Sequence, residues 1–107
     1  MTETWVKIKN SKGYEISNLG HVRRKIAVNL YKTLRGYKNR EGYHLFAIVS
    51  STGKRQQLLA HRLVAEAFLP HTERDWTVWH KDGNNLNNKV DNLEWVQVPD
   101  AKRRWYR

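Results

Sequence analysis

The chain has 107 residues, enough for one ordinary domain or two very small modules, with 20 Lys and Arg against 10 Asp and Glu and a formal net charge of +10. A surplus this large points to a polyanionic partner, because each neutralised phosphate releases a condensed counterion. No apolar run approaches the roughly 20 residues of a membrane span, there is no amphipathic helix long enough to lie on a bilayer, and no signal-peptide-like segment opens the chain, so it is expected to act inside a cell, away from membranes. With no Cys, disulfides and thiolate zinc sites are excluded, and any metal must be held by His, Asp, Asn or Glu. Five Trp and five Tyr suit a small core that needs large rings to fill it.

In chain order, Trp5-Val6-Lys7-Ile8 and Tyr14-Glu15-Ile16-Ser17 alternate apolar and polar, the period of half-buried strands. Asn18-Leu19-Gly20 reads as a turn, and His21-Val22-Arg23-Arg24 as a third strand. Lys25 to Lys38 is weakly patterned and carries no assignment. Residues 42–49 form a strand candidate, residues 50–53 a turn, and residues 54–59 the returning strand of a hairpin. From Ala60 to Phe68 the period changes. Leu63, Val64, Ala67 and Phe68 share one helix face, and Pro70 stops the helix. His71 to Asp75 is a polar connection. Trp76 to His80 and Leu93 to Val96 read as two short strands, separated by a polar loop from Lys81 to Lys89 containing Asp82-Gly83 and asparagines at 84, 85, 87 and 88. Asp100 to Arg107 is a basic segment suited to start a helix, with Pro99 near its first turn.

Hydrolysing a phosphodiester needs a base to activate water and a divalent cation to stabilise the charge that develops. His80, at a strand end beside a polar loop, is the candidate base, since a neutral imidazole accepts a proton near neutral pH. If the two strands pair, Asn92 returns beside His80, where its amide is placed to orient the imidazole. The loop asparagines suit Asx turns that give a long loop a fixed shape. Lys and Arg clusters at Arg23, Arg24 and Lys25, at Arg62, and at Lys102, Arg103 and Arg104 are candidate phosphate contacts. For His61-Arg62 a second reading is a cap and buried polar pair that fixes the helix on the sheet.

The stretch Val78-Trp79-His80-Lys81-Asp82-Gly83-Asn84-Asn85-Leu86-Asn87-Asn88-Lys89-Val90-Asp91-Asn92-Leu93-Glu94-Trp95-Val96 resembles the HNH motif of phage and intron homing endonucleases. His61 to Phe68 resembles the helix that precedes that motif, and residues 5–24 resemble the accessory module called NUMOD4. The resemblance implies an α+β fold, with a small N-terminal antiparallel β module (residues 1–58), a middle helix, and a C-terminal ββα-metal finger (residues 59–107) ending in a short helix. It implies His80 as general base and Asn92 as the central Asn that orients it. It also implies double-stranded DNA as substrate and a divalent metal, Mg²⁺ or alternatively Mn²⁺. Family metal ligands stand beside the base and about nine residues past the central Asn, where this chain has Trp79 and Ala101. Asp100 is the candidate replacement, with hard oxygen ligation suited to Mg²⁺, and Asp82 is the alternative, although an Asp-Gly pair more often simply makes a turn. The expected function is an endonuclease or nickase, acting as a monomer. The alternatives are an inactive relative that only binds DNA and, on charge alone, an RNA- or ribosome-binding protein.

Overall fold

The computed structural model describes residues 2–70 and 76–97. Among these residues nine strands, one α-helix and one short 3-10 helix follow in the order β1 (Trp5–Lys7), β2 (Tyr14–Ser17), β3 (Val22–Ala27), β4 (Leu30–Leu34), β5 (Tyr37–Lys38), β6 (His44–Val49), β7 (Arg55–Leu59), α1 (Ala60–Phe68), β8 (Trp76–His80), the 3-10 turn (Val90–Asn92) and β9 (Leu93–Gln97). They make three antiparallel sheets, β1-β2-β3-β4, β5-β6-β7 and β8-β9. The α+β class expected from the sequence is the class observed. The expected final helix and Asp100, Lys102, Arg103 and Arg104 lie outside the described residues.

One core joins all three sheets to the helix. Ile16 and Val22, register partners across β2 and β3, meet Phe46 and Ile48 of β6, Leu63, Val64 and Ala65 of α1, Val78 of β8 and Leu93 of β9. Residues on both sides of position 58 therefore share one apolar interior. The helix begins without a side-chain cap, since Leu59 occupies the cap position. Its stability comes from burying the Leu63/Val64 face. At its other end the Trp95 indole donates to the Leu69 carbonyl at 2.9 Å, tying β9 to the helix terminus.

Lys25 to Lys38, unpatterned in the sequence, folds as the end of β3, all of β4 and β5. The β3-β4 ribbon has no second layer over most of its length, and only Val22 of its strand residues is fully buried. A two-stranded ribbon that buries so little has no reason to alternate apolar with polar residues.

Arg23 is a structural residue, not part of a bare basic edge. Its Nε donates to Glu15 Oε1 at 2.7 Å, and its guanidinium lies 4.1 Å from the Trp5 ring centre and 3.8 Å from that of Tyr31. It thus binds β1, β2 and β4 together across the sheet. Replacing Arg23 by alanine leaves a half-buried carboxylate without its partner and removes two cation–π contacts. The expected cost is about 2 kcal/mol, or a Tm lower by roughly 10 °C, read by thermal denaturation followed by circular dichroism.

Candidate active site

The site is built where β8 ends. His80 pairs with Leu93, and the Lys81 N–H donates to the Asn92 carbonyl at 2.8 Å, so Asn92 does return beside His80. Its side chain, however, does not orient the imidazole. The Asn92 Nδ2 donates to Asp82 Oδ1 at 3.0 Å and to the Asn87 carbonyl at 2.9 Å, and its Oδ1 accepts from the Asp82 N–H at 3.1 Å. Asn92 fastens the two ends of the loop together. Both of its amide N–H groups and its oxygen are engaged there, so the orienting role expected for it passes to another amide.

That amide is Asn88, which is 4 % exposed although it sits in the polar loop. His80 Nε2–H donates to Asn88 Oδ1 at 2.8 Å. A carbonyl oxygen only accepts, so this bond fixes the proton on Nε2 and leaves Nδ1 as the basic nitrogen. Sequence reasoning does not single out Asn88, because four asparagines crowd the loop and nothing in their spacing distinguishes the one that turns inward. Its back is set by the N-terminal sheet. The Val90 N–H donates to the Asn18 carbonyl at 2.8 Å, and Gly20, at φ +88°, lies so close that a Cβ there would stand 3.1 Å from both the Cβ and the carbonyl oxygen of Asn88. The β2-β3 turn is therefore a wall behind the residue that holds His80.

His61 is the second group the sequence does not assign to the site. It is neither a cap nor paired with Arg62. Its ring lies 5.0 Å from that of His80, edge to face, and 5.1 Å from Tyr43, and its Nδ1 is buried with no hydrogen-bond partner among the described residues. Burial first, then the positive charge His80 can carry, then that of Arg62, push its pKa down to about 4. Because the folded value lies below the unfolded one near 6.5, His61 contributes stability that is complete above pH 6.5 and lost as pH falls toward 4. The loss expected over that window is about 3 kcal/mol. Urea midpoints measured at pH 7 and pH 4.5 should differ accordingly, and His61→Phe should flatten the dependence.

Arg62 instead reaches Glu66 Oε1 at 3.3 Å, one helical turn on, and stays partly exposed over the Trp95 ring at 5.7 Å. Arg24 leans over Tyr14 at 5.2 Å, while Lys25 is exposed.

The described residues do not by themselves fit a metal ion. Among them no three His, Asp or Glu side chains converge. Trp79, half exposed beside His80, has no ligand atom. Asp82 is a loop strut. Its Oδ2 accepts from Asn87 Nδ2 at 2.9 Å and its Oδ1 from the Asn84 N–H at 2.8 Å and from Asn92. These bonds, that from the Asn87 side chain foremost, hold its carboxyl below the usual carboxylate range.

Residues 58–103 match the model of the HNH endonuclease family and residues 3–47 that of the NUMOD4 motif. The chain belongs to the HNH endonuclease family and carries a NUMOD4 motif ahead of its HNH module. HNH endonucleases generally use a divalent metal. Among its relatives, the DNA endonuclease I-HmuI of Bacillus phage SP01 is 39% identical over 93 residues, covering 86% of this chain and 51% of that protein. A protein of Acanthamoeba polyphaga mimivirus named as an uncharacterized HNH endonuclease is 38% identical over 96 residues, covering 90% of this chain and 28% of that protein. The solved structure described as "DNA binding and cleavage by the HNH homing endonuclease I-HmuI" superposes with a TM-score of 0.76 at 38% identity, covering 88% of this chain and 52% of that one. The chain thus spans about half of I-HmuI and about a quarter of the mimivirus relative.

Proposed function

We propose that this chain binds double-stranded DNA and hydrolyses its phosphodiester bonds, as a nickase or endonuclease, with His80 as general base. One observation carries the reading. The buried Asn88 amide fixes the proton of His80 on Nε2, which is how a histidine is kept ready to take a proton from water at its other nitrogen. Asn92 and Asp82 keep the loop that carries Asn88 in shape. The likeness to I-HmuI, a protein whose solved structure is described by DNA binding and cleavage, supports the same substrate here.

Residues 1–58 are read as the DNA-gripping module and residues 59–107 as the cutting module, working as a monomer inside the host cell of a phage or mobile element. Arg24, Lys25, Arg62, Lys102, Arg103 and Arg104 are the proposed phosphate contacts. Mg²⁺, with Mn²⁺ as substitute, is the proposed cofactor, and Asp100 the ligand that takes over from the usual positions held by Trp79 and Ala101. Those two residues also favour a second reading, a family member that binds DNA without cutting it.

Supercoiled plasmid incubated with Mg²⁺ or Mn²⁺ separates the two. Conversion to nicked or linear DNA by the wild type, lost in Asp100→Ala, supports cleavage with a rebuilt metal site. Binding without conversion on plasmids carrying a randomised target library supports the second reading.

A further inference from the structure

The β3-β4 ribbon ends in an apolar tip that no part of the described chain covers. Ile26 is 56% exposed, Val28 83% and Leu30 53%, so half of the six large exposed hydrophobic residues among those described fall within five consecutive positions. Exposed apolar side chains scattered singly need no explanation, but three on one hairpin tip mark a contact surface. The tip is shaped for the purpose. The register between β3 and β4 slips between Lys25 and Ala27, leaving Ile26 as the unpaired residue of a bulge that breaks the strand's alternation. Asn29, at φ 57°, closes the turn and leaves Val28 at the apex. Behind the tip the ribbon is stiffened by the Arg23 clamp between Trp5 and Tyr31.

What surrounds the tip identifies its occupant. Lys25 and Lys32 are exposed on the two strands just behind it, with Arg24 as register partner of Lys32, and no acidic residue lies between Arg23 and Lys38. A wedge of aliphatic side chains with cations at its shoulders matches duplex DNA, whose base steps offer apolar faces and whose flanking phosphates are anionic.

We propose that the β3-β4 hairpin is a DNA wedge, with Ile26, Val28 and Leu30 inserting against base steps while Lys25 and Lys32 hold the phosphates on either side. Insertion partly unstacks a step and bends the duplex, which widens the surface the protein can grip. The proposal rests on the DNA-binding reading given above and adds its mode.

The test compares the full chain with the variant Ile26→Ser/Val28→Ser/Leu30→Ser, whose changes lie on the surface. Affinity for a randomised 30-bp duplex is read by fluorescence anisotropy, and unwinding by the linking number of closed circular plasmid relaxed by topoisomerase I in the protein's presence. Wild type should shift the linking number. The variant should lose that shift and bind about tenfold or more weakly, the fold-change for one lost buried aliphatic contact, with its Tm and salt slope unchanged because no phosphate contact is removed. Unaltered affinity and unwinding in the variant overturn the wedge while leaving DNA binding standing. The wedge is equally overturned if the variant differs only in self-association by light scattering, or only in binding to anionic vesicles. Failure of the wild type to bind any duplex overturns the DNA reading itself, and the wedge with it.

Discussion

His80→Ala is expected to abolish strand cleavage on any plasmid the wild type cuts, while changing duplex affinity less than about threefold. The side chain is 8% exposed and its Nε2 proton is committed to Asn88, so it offers little to a phosphate in the ground state. What it offers is the Nδ1 lone pair, which water must reach to lose its proton. General-base catalysis typically contributes about 10² to 10⁴ in rate, so nicking followed on agarose gels should fall by at least that factor. Asn88→Ala should produce an intermediate loss, because the ring keeps its basic nitrogens but no longer holds one tautomer. A parallel fall in binding for His80→Ala would make it a contact residue and remove it from the chemistry.

Duplex affinity itself should collapse with salt. Six to ten phosphate contacts correspond to a loss of about 10³ to 10⁵ in affinity between 50 and 200 mM monovalent salt, and a net charge of +10 with Lys25, Lys32, Lys81 and Lys89 exposed is sufficient to supply them. Measured by anisotropy across a salt series, Arg24→Gln/Lys25→Gln should reduce the slope of log K against log salt by about 2, one unit per contact. Arg23→Ala should leave that slope alone and act through stability, since its guanidinium is held by Glu15, Trp5 and Tyr31. A flat salt dependence in the wild type would remove the electrostatic basis for DNA binding.

The contrast between Arg23 and Arg24 shows where sequence reasoning ends. Helix α1 is legible residue by residue, because Leu63, Val64, Ala67 and Phe68 keep a helical period and Pro70 follows it, and strand β8 has the bounds the sequence suggests. The position of His80, at the end of β8 beside the polar loop, is legible from the strand and loop patterns. Whether a basic residue faces solvent depends on register, which places Arg23 opposite Glu15 and between two rings contributed by other strands. The division of labour among the amides is likewise a matter of three dimensions. Strand pairing is enough to bring Asn92 next to His80, yet its amide is used by the loop, and the neighbour that serves the imidazole is buried by a turn far earlier in the chain. His61 reaches the site because α1 packs across the sheets on either side of it, a relation that periodicity within the helix does not encode.

The turn at Asn18 to Gly20 ties the N-terminal motif to the loop that holds His80. Modules joined by a linker can be shuffled between proteins and keep their separate talents. Here the carbonyl of Asn18 and the bare Cα of Gly20 form the rear of the compartment that seats Asn88. A nuclease that acquired a foreign N-terminal module with even an alanine at the position of Gly20 would bring a methyl group against Asn88 and disturb the imidazole behind it. The N-terminal sheet and the His80 loop thus meet at a single turn, where one added methyl group would be felt at Asn88.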